Sequence, residues 1–183
     1  IAGQKFDELT ISLFVREDVL HVEELTLIQG EKSGFQAMGT LPLVNNIGAP
    51  VEINLDMKFS NLDLDIISHI IPNWFSLGGL ISGGMNIFGN TEKTRFDFDV
   101  NIKEAVFDKI KFGFVKGRGN YDGQTLDFSQ YSSEWKQNFL EGNASLPLDY
   151  NIGSNQFGRA ILEEPFFLSV GGRTKDLHFI SSY

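Results

Sequence analysis

The feature that most constrains the fold is a regular alternation of apolar with polar or small residues along most of the chain. Residues 9–15, 51–59 and 96–102 show it most clearly, with an apolar side chain at every second position. A period of two places those side chains on one face of an extended segment. Turns rich in Gly, Asn and Asp separate about a dozen such segments. The sequence therefore predicts a mainly β protein, an antiparallel meander with one apolar and one polar face.

One segment departs from this alternation. Within residues 61–75, apolar residues recur at helical spacing from Leu62 to Ile71, and Pro72 stands where a helix would end. The pattern predicts one short amphipathic helix that lies across the sheet or plugs one side of it. Apolar stripes at this spacing usually pack on a core, so we expect this helix to cover part of the apolar face.

Charge and composition exclude several classes of function. The chain has 15 Lys and Arg against 24 Asp and Glu, which gives a net charge of −9. An acidic surface repels phosphate groups, so we expect no nucleic-acid partner and no electrostatic docking on anionic membranes. No window approaches the ~18 to 20 uninterrupted apolar residues that a membrane-spanning helix needs. Cysteine is absent, which removes disulfides, thiolate metal sites and cysteine catalysis.

Internal repetition is the most informative feature of the organisation. Three pairs of segments resemble each other in the same order along the chain: 6–13 and 107–114, 41–43 and 146–148, and 50–55 and 165–170. The offset between partners grows along the chain, through turn-like insertions at 117–122 and 151–157. We predict one continuous module over residues 1–183, made of a repeat at 1–105 and an incomplete second repeat at 106–183. Because the chain begins with Ile1 and ends just after a predicted strand, we expect it to be a fragment of a longer protein.

A sheet that continues from repeat to repeat must curl to bury its apolar face, or else leave an apolar trough. We therefore predict an elongated groove with an apolar interior, whose natural occupant is an acyl chain. The residues predicted to line it are the apolar members of the alternating strands: Leu9, Ile11, Leu13, Ile53, Leu55, Met57, Phe96, Phe98, Val100, Ile110, Phe112, Phe114, Leu126, Phe128, Leu146 and Leu148. The competing interpretation is a fully packed, dry sandwich core with no ligand.

The sequence carries no catalytic signature, and we expect neither an enzyme nor a cofactor. His21, His69 and His178 are isolated and stand in no metal-ligand spacing. His21 alternates with apolar neighbours, which places it on the polar face of a strand. The carboxylate pair Asp97 and Asp99 shares one strand face, which favours a solvated surface over a glycosidase or calcium site. We predict no catalytic residue and no metal site.

Glycine clusters are equally uninformative about chemistry. Residues 78–84 are rich in Gly but lack the order of a phosphate-binding loop, so we interpret them as turns or bulges between strands. Residues 116–119, with the sequence Lys-Gly-Arg-Gly, are interpreted as a small basic turn.

Several segments resemble the repeating signature of the TamB/AsmA-like family. They are a predicted short helix followed by a glycine-rich strand and a series of layered strands: 62–72, 77–91, 96–102, 105–110, 117–128 and 141–146. The family pattern has Gly-Thr before the turn that ends the glycine-rich strand, with a Pro after it. Here Gly89-Asn90-Thr91 stands at that turn and the Pro is missing, so the resemblance is one of strand pattern and carries no catalytic fingerprint.

The resemblance implies a specific cellular role. Proteins of this family lie in the periplasm of diderm bacteria, are anchored in the inner membrane, and meet an outer-membrane barrel of the BamA type as a translocation and assembly module. They resemble bridge-like lipid transfer proteins, whose sheet curls into a β-taco around a hydrophobic groove. The implied function is lipid transport: phospholipid acyl chains move along the groove between the inner and outer membranes, in support of outer-membrane biogenesis.

Two other functions stay open on the sequence. A scaffold for outer-membrane protein assembly or protein secretion would lend an edge strand to a barrel partner by β-augmentation. A β-rich adhesin or stalk would have a packed interior and no ligand. An isolated piece of an open groove is also expected to dimerise through its apolar mouth.

Overall fold

The computed structural model describes residues 7–30, 33–43, 50–65, 77–107, 110–136, 138–149, 159–160 and 165–173. This part of the chain is mainly β, and apart from two helical residues, Leu64 and Asp65, it contains no helix. Its strands, in chain order, are β1 (Glu8–Arg16), β2 (Val19–Gln29), β3 (Ser33–Pro42), β4 (Glu52–Asp63), β5 (Leu77–Asn90), β6 (Thr94–Phe107), β7 (Ile110–Tyr121), β8 (Thr125–Trp135), β9 (Asn138–Asp149), β10 (Arg159–Ala160) and β11 (Phe167–Arg173).

All the strands belong to one antiparallel sheet in which strand order follows chain order from β1 to β10. The outer edge of β9 is shared, because β10 pairs with its end at Leu148 and β11 pairs with the stretch from Phe139 to Ser145. In the described part the sheet is not closed, and β1 has a strand partner on one side only. The predicted antiparallel meander is confirmed. Its strand order has a simple physical reason, since short connections favour pairing between consecutive strands.

β-Bulges keep the apolar side chains on one face where the alternation of the sequence slips. Between Val22 and Leu25 the register of β2 shifts against both neighbours, so these two residues point to the same face although they are three apart. Phe59 and Leu62 on β4 are related in the same way, around a left-handed Asn61 (φ 43°). An extra residue in one strand restores the phase of the side chains relative to the sheet.

The predicted helix over residues 61–75 is wrong at its start. Residues 61–63 complete strand β4, and Leu62 pairs with Ile81 across the bulge. Leu62 and Leu64 are buried together with Ile81, so tertiary packing overrides the helical spacing here. Residues 66–75, which held most of the predicted helix, lie outside the described residues.

Both glycine clusters lie inside strands, where the sequence had suggested turns. Residues 78–84 belong to β5, which runs for 14 residues, and the register shift beside Gly79 places the extra residue on β6, so the cluster forms neither a turn nor a bulge of its own strand. Residues 116–119 lie inside β7, where Lys116 and Arg118 alternate with Gly117 and Gly119. Alternation of long cationic residues with glycine is typical of a strand. The cationic side chains lie on the solvated face, and glycine lies on the face where side chains of neighbouring strands leave little space.

The matched segments of the predicted repeat occupy comparable places in the sheet. The first pair lies at β1 and β7, the second at the ends of β3 and β9, and the third at β4 and β11. Strands β3 and β4 are neighbours, and so are β9 and β11. The repetition itself stays a prediction.

Candidate functional site: the apolar face of the sheet

Residues directly opposite each other on neighbouring strands point to the same face of a sheet. Following these pairs from Leu9 on β1 to Leu168 on β11 therefore identifies one face across the whole sheet, which we call the apolar face. Besides predicted residues, it contains apolar residues that the sequence analysis did not select: Val15, Leu20, Val22, Leu25, Leu27, Phe35, Ala37, Leu41, Phe59, Leu62, Ile81, Met85, Ile87, Ile102, Val115, Tyr121, Tyr131, Leu140, Leu168 and Val170.

Most of the residues predicted to line a groove share this face. The register places there Leu9, Ile11, Leu13, Ile53, Leu55, Met57, Phe96, Phe98, Val100, Leu126, Phe128, Leu146 and Leu148. Ile110 opens β7, and Phe112 lies beside the bulge at Gly113, where the alternation of that strand is reset. Contact of these side chains with lipid stays a prediction.

Phe114 is the predicted lining residue that the structure separates from the others. It lies opposite Glu134 of β8, and the ammonium of Lys116 sits 5.6 Å from the centre of its ring. Glu134 and Lys116 both lie on the polar face of the sheet, whereas Phe98 lies on the apolar face. The cause is the bulge beside the left-handed Gly113 (φ 72°), because the extra residue there reverses the phase of β7 between Ile110 and Phe114.

Aromatic rings gather on the apolar face where β6, β7 and β8 meet. The ring centroids of Phe96 and Tyr121 are 5.0 Å apart, and those of Phe98 and Phe128 are 5.4 Å apart in an edge-to-face arrangement. Tyr121 is only 1% exposed, and its hydroxyl donates to the carbonyl oxygen of Leu148, 2.9 Å away. Tyr121 was not among the predicted lining residues, although its spacing of two from Gly119 continues the same row.

Glycine on β7 provides the space for this cluster. Gly119 lies between Phe98 on β6 and Phe128 on β8. A Cβ atom at Gly119 would stand 2.8 Å from Cζ of Phe98 and would overlap the carbonyl oxygen of Asp127. The rings of two strands that are not neighbours therefore meet over a strand that presents no side chain at this point.

Exposure varies strongly along the apolar face. In the middle of the sheet Ile53 is 2% exposed, and Ile81 is 8% exposed. On the outer strands Leu9 is 57% exposed and Leu168 is 58% exposed, although they belong to the same face. The middle of the face is thus sheltered, while both ends present apolar surface to solvent.

The opposite face is polar and its charges pair locally. The guanidinium of Arg118 donates to the carboxylate of Asp99 on the neighbouring strand, with Nε 2.9 Å from Oδ2. Asn86 donates to Asp56 at 2.8 Å, and these residues line a shallow depression. His21 pairs with Phe14, and their rings stack with centroids 4.5 Å apart, in agreement with its predicted place on the polar side of a strand.

Two titratable groups have pKa values that depart from the ordinary ones. Burial raises the pKa of the Tyr131 hydroxyl. The backbone N–H groups of Thr125 and Gln124 hold the pKa of the Asp122 carboxyl below 3.8, because both donate to its Oδ1. Asp122 caps the turn from β7 to β8. Among the described residues no group of three His, Asp or Glu side chains could hold a metal ion.

The described residues of the apolar face offer apolar surface for binding. The apolar face presents aliphatic and aromatic groups, whose contribution to binding would be the removal of apolar area from water. No protein-family model, no curated protein and no solved structure matches this chain. Within the described ranges, no helix is both long and apolar enough to cross a membrane.

Proposed function

We propose that the apolar face holds the acyl chains of phospholipids, and that the chain is a segment of a periplasmic bridge along which lipid passes between the two membranes of a diderm bacterium. The proposal includes the inner-membrane anchor and the outer-membrane barrel partner of the BamA type that the family resemblance implies, both contributed by other parts of a longer protein. It also includes a sheet that curls into a groove around the acyl chains.

One observation carries the proposal. Among the described residues that the register places on the apolar face, none is Asp, Glu, Lys or Arg, from Leu9 on β1 to Val170 on β11. The nine strand spacings from β1 to β10 extend over about 43 Å along the sheet. An uninterrupted uncharged strip of that extent suits a long hydrocarbon chain, since a buried charge anywhere along it would cost several kcal/mol.

Two features favour an open face over a dry sandwich core. In the described part each strand makes its main contacts with its neighbours in the sheet, and no second layer packs on the apolar face. The rings of Phe98 and Phe128 are 5.4 Å apart although their strands are two positions apart, which would be about 10 Å in a flat sheet. Such convergence supports a face that is concave on its apolar side, at least at this cluster.

Phenylalanines on both faces allow a matched test by photo-crosslinking. Benzoylphenylalanine would replace Phe98 or Phe128 on the apolar face, and Phe88 or Phe114 on the opposite face, where Phe88 lies opposite Asn54 and Arg95. Each variant of the whole chain is irradiated with vesicles that contain a fluorescent phosphatidylethanolamine.

We expect labelled adducts at Phe98 and Phe128 and almost none at the two control positions. All four replacements exchange one aromatic residue for a related one, so differences in yield report the face and not the chemistry of the probe. Equal yields on both faces, or no adduct at any position, would show that the apolar face does not take up acyl chains.

A further inference from the structure

Strand β1 forms one edge of the sheet and lacks the usual protection of an edge strand. It is paired with β2 on one side and has no other strand partner in the described part of the chain. Its nine residues contain no Pro and no Lys, and the only bulge in the β1–β2 pair is taken up by Glu23 on β2. Natural edges are normally blocked by such residues or by bulges, so β1 is a regular strand open to pairing.

The sequence of β1 is self-complementary about Ser12. When a second β1 runs antiparallel with Ser12 opposite Ser12, each residue of the apolar face lies opposite another apolar residue, and each charged end lies opposite the opposite charge. The facing pairs are Glu8 with Arg16, Leu9 with Val15, Thr10 with Phe14, and Ile11 with Leu13.

This register differs from the registers shifted by one or two residues in which charges pair and in which faces of the two strands meet. A shift of one residue would place the apolar Ile11 opposite the polar Ser12 and mix the two faces. A shift of two would keep the faces but separate Glu8 from Arg16. Only the register centred on Ser12 keeps the apolar face continuous and also pairs both charged ends of the strand.

We propose that the free edge of β1 binds the β1 strand of a second copy of this chain, antiparallel and about a two-fold axis at Ser12. The apolar faces of the two sheets then join into one. Leu9, Ile11 and Leu13, which are 57%, 52% and 47% exposed in the single chain, gain cross-strand neighbours on that face.

The charged ends of β1 are available for this pairing. Arg16 and Glu8 are both exposed. Among the described residues, Arg16 forms one ion pair, with Glu17 at 3.7 Å, in a solvated contact that contributes little. Glu8 accepts a long hydrogen bond of 3.4 Å from Thr10, and no other described residue bonds to its side chain. The proposal depends on β1 alone and not on whether the apolar face binds lipid.

The first test is a charge-reversal cycle. Sedimentation equilibrium of the full chain would give the dimer dissociation constant of the wild type, Glu8→Arg, Arg16→Glu and the double variant. We expect each single change to weaken the dimer by about tenfold, because two symmetry-related pairs become repulsive. The double variant should return to within about twofold of the wild type, since the reversed charges face each other again.

The second test uses the absence of cysteine. Ser12→Cys introduces the only thiol of the chain, and directly opposite residues have Cβ atoms about 4.5–5.5 Å apart, close enough for a disulfide after a small shift. The matched control is Ser129→Cys, an exposed position inside β8. We expect disulfide-linked dimer on mild oxidation from the first variant and none from the second.

Three results would overturn the proposal. One is a wild-type chain that remains monomeric at 100 μM or so, a concentration well above typical weak homodimer constants. Another is a dimer that is weakened by neither charge reversal and is not cross-linked through Ser12→Cys. A dimer that pairs through its apolar faces would behave in this way. The third is linkage of Ser12→Cys to a different protein alone, which would mean that the edge serves a heterologous strand.

Discussion

Replacing Gly119 with alanine tests whether β6, β7 and β8 pack as closely as the structure shows. The new Cβ would lie 2.8 Å from Cζ of Phe98, whereas ordinary contacts of a Cβ begin near 3.4 Å. The same atom would overlap the carbonyl oxygen of Asp127, which belongs to the backbone of β8 and cannot rotate away. Both the ring and the neighbouring strand would therefore have to move.

The expected loss of stability is about 1.5 to 4.5 kcal/mol. Inserting a methyl group into a packed site costs about 1 to 3 kcal/mol, since it forces side chains off their preferred rotamers. Displacing the Asp127 carbonyl weakens a ladder hydrogen bond worth about 0.5 to 1.5 kcal/mol. With a typical urea slope for a domain of this size, the unfolding midpoint should fall by about 1 M or more.

Urea unfolding followed by far-UV circular dichroism would measure this change, with Gly171→Ala as the matched control. Gly171 lies in β11, and a Cβ there would meet no atom within 4 Å. This control should be neutral or slightly stabilising, because alanine lowers the entropy of the unfolded chain relative to glycine. If the midpoints of the two variants agree, the close approach over Gly119 is wrong, and with it the aromatic cluster on the apolar face.

Two further predictions concern a turn and the apolar face. Asp122→Ala should lower the free energy of unfolding by about 1 kcal/mol at pH 7, because the Oδ1 of Asp122 accepts two backbone N–H groups. Since the pKa of Asp122 is lowered from 3.8 on folding, its charge stabilises the fold above that pH, and the stabilisation is lost as the pH falls through the lowered pKa. Urea titrations at pH 7 and pH 3 should show the wild-type advantage shrinking, whereas a constant difference would mean that the carboxylate charge plays no part. Leu146→Asp, on the apolar face of β9, should reduce the amount of co-purifying phospholipid detected by native mass spectrometry several-fold, while Asn143→Asp on the opposite face of the same strand should leave it unchanged. Equal lipid occupancy in these two variants would contradict the proposed role of the face.

The alternation of the sequence was sufficient to predict the strands and most of the apolar face. Residues 9–15, 51–59 and 96–102 carry an apolar residue at every second position. They fall in β1, in β4 from residue 52 onward, and in β6, with these residues on the apolar face. The placement of His21 and of Asp99 on the polar face follows from the same rule. A period of two is a property of the local backbone, so it can be read without knowledge of the neighbouring strands.

Elements that depend on a neighbouring strand were predicted less well. The helical spacing after Leu62 is real in the sequence, but Leu62 packs beside Ile81 in a strand because the bulge at Asn61 keeps it on the buried side. The glycines of residues 78–84 look like turn residues, yet they lie in a long strand, and on β7 Gly119 serves to admit aromatic rings from two other strands. Local propensity cannot reveal such roles, since the partner side chains are distant in sequence.

By itself the sequence determined that this chain forms an antiparallel sheet with an uncharged apolar face, and that its other surfaces carry a net negative charge. Alternation and turn residues are local properties of the chain, and net charge is a sum over its residues, so all three can be read from the sequence alone. The tertiary structure decided the phase of each strand relative to the sheet. Ile110 and Phe114 are equivalent in the alternation, but the bulge at Gly113 turns Phe114 to the face of Lys116. A bulge inserts one residue where two particular strands pair. The face on which a side chain lies is therefore fixed by the hydrogen-bonding register between strands, and this register cannot be read from the sequence of one strand alone.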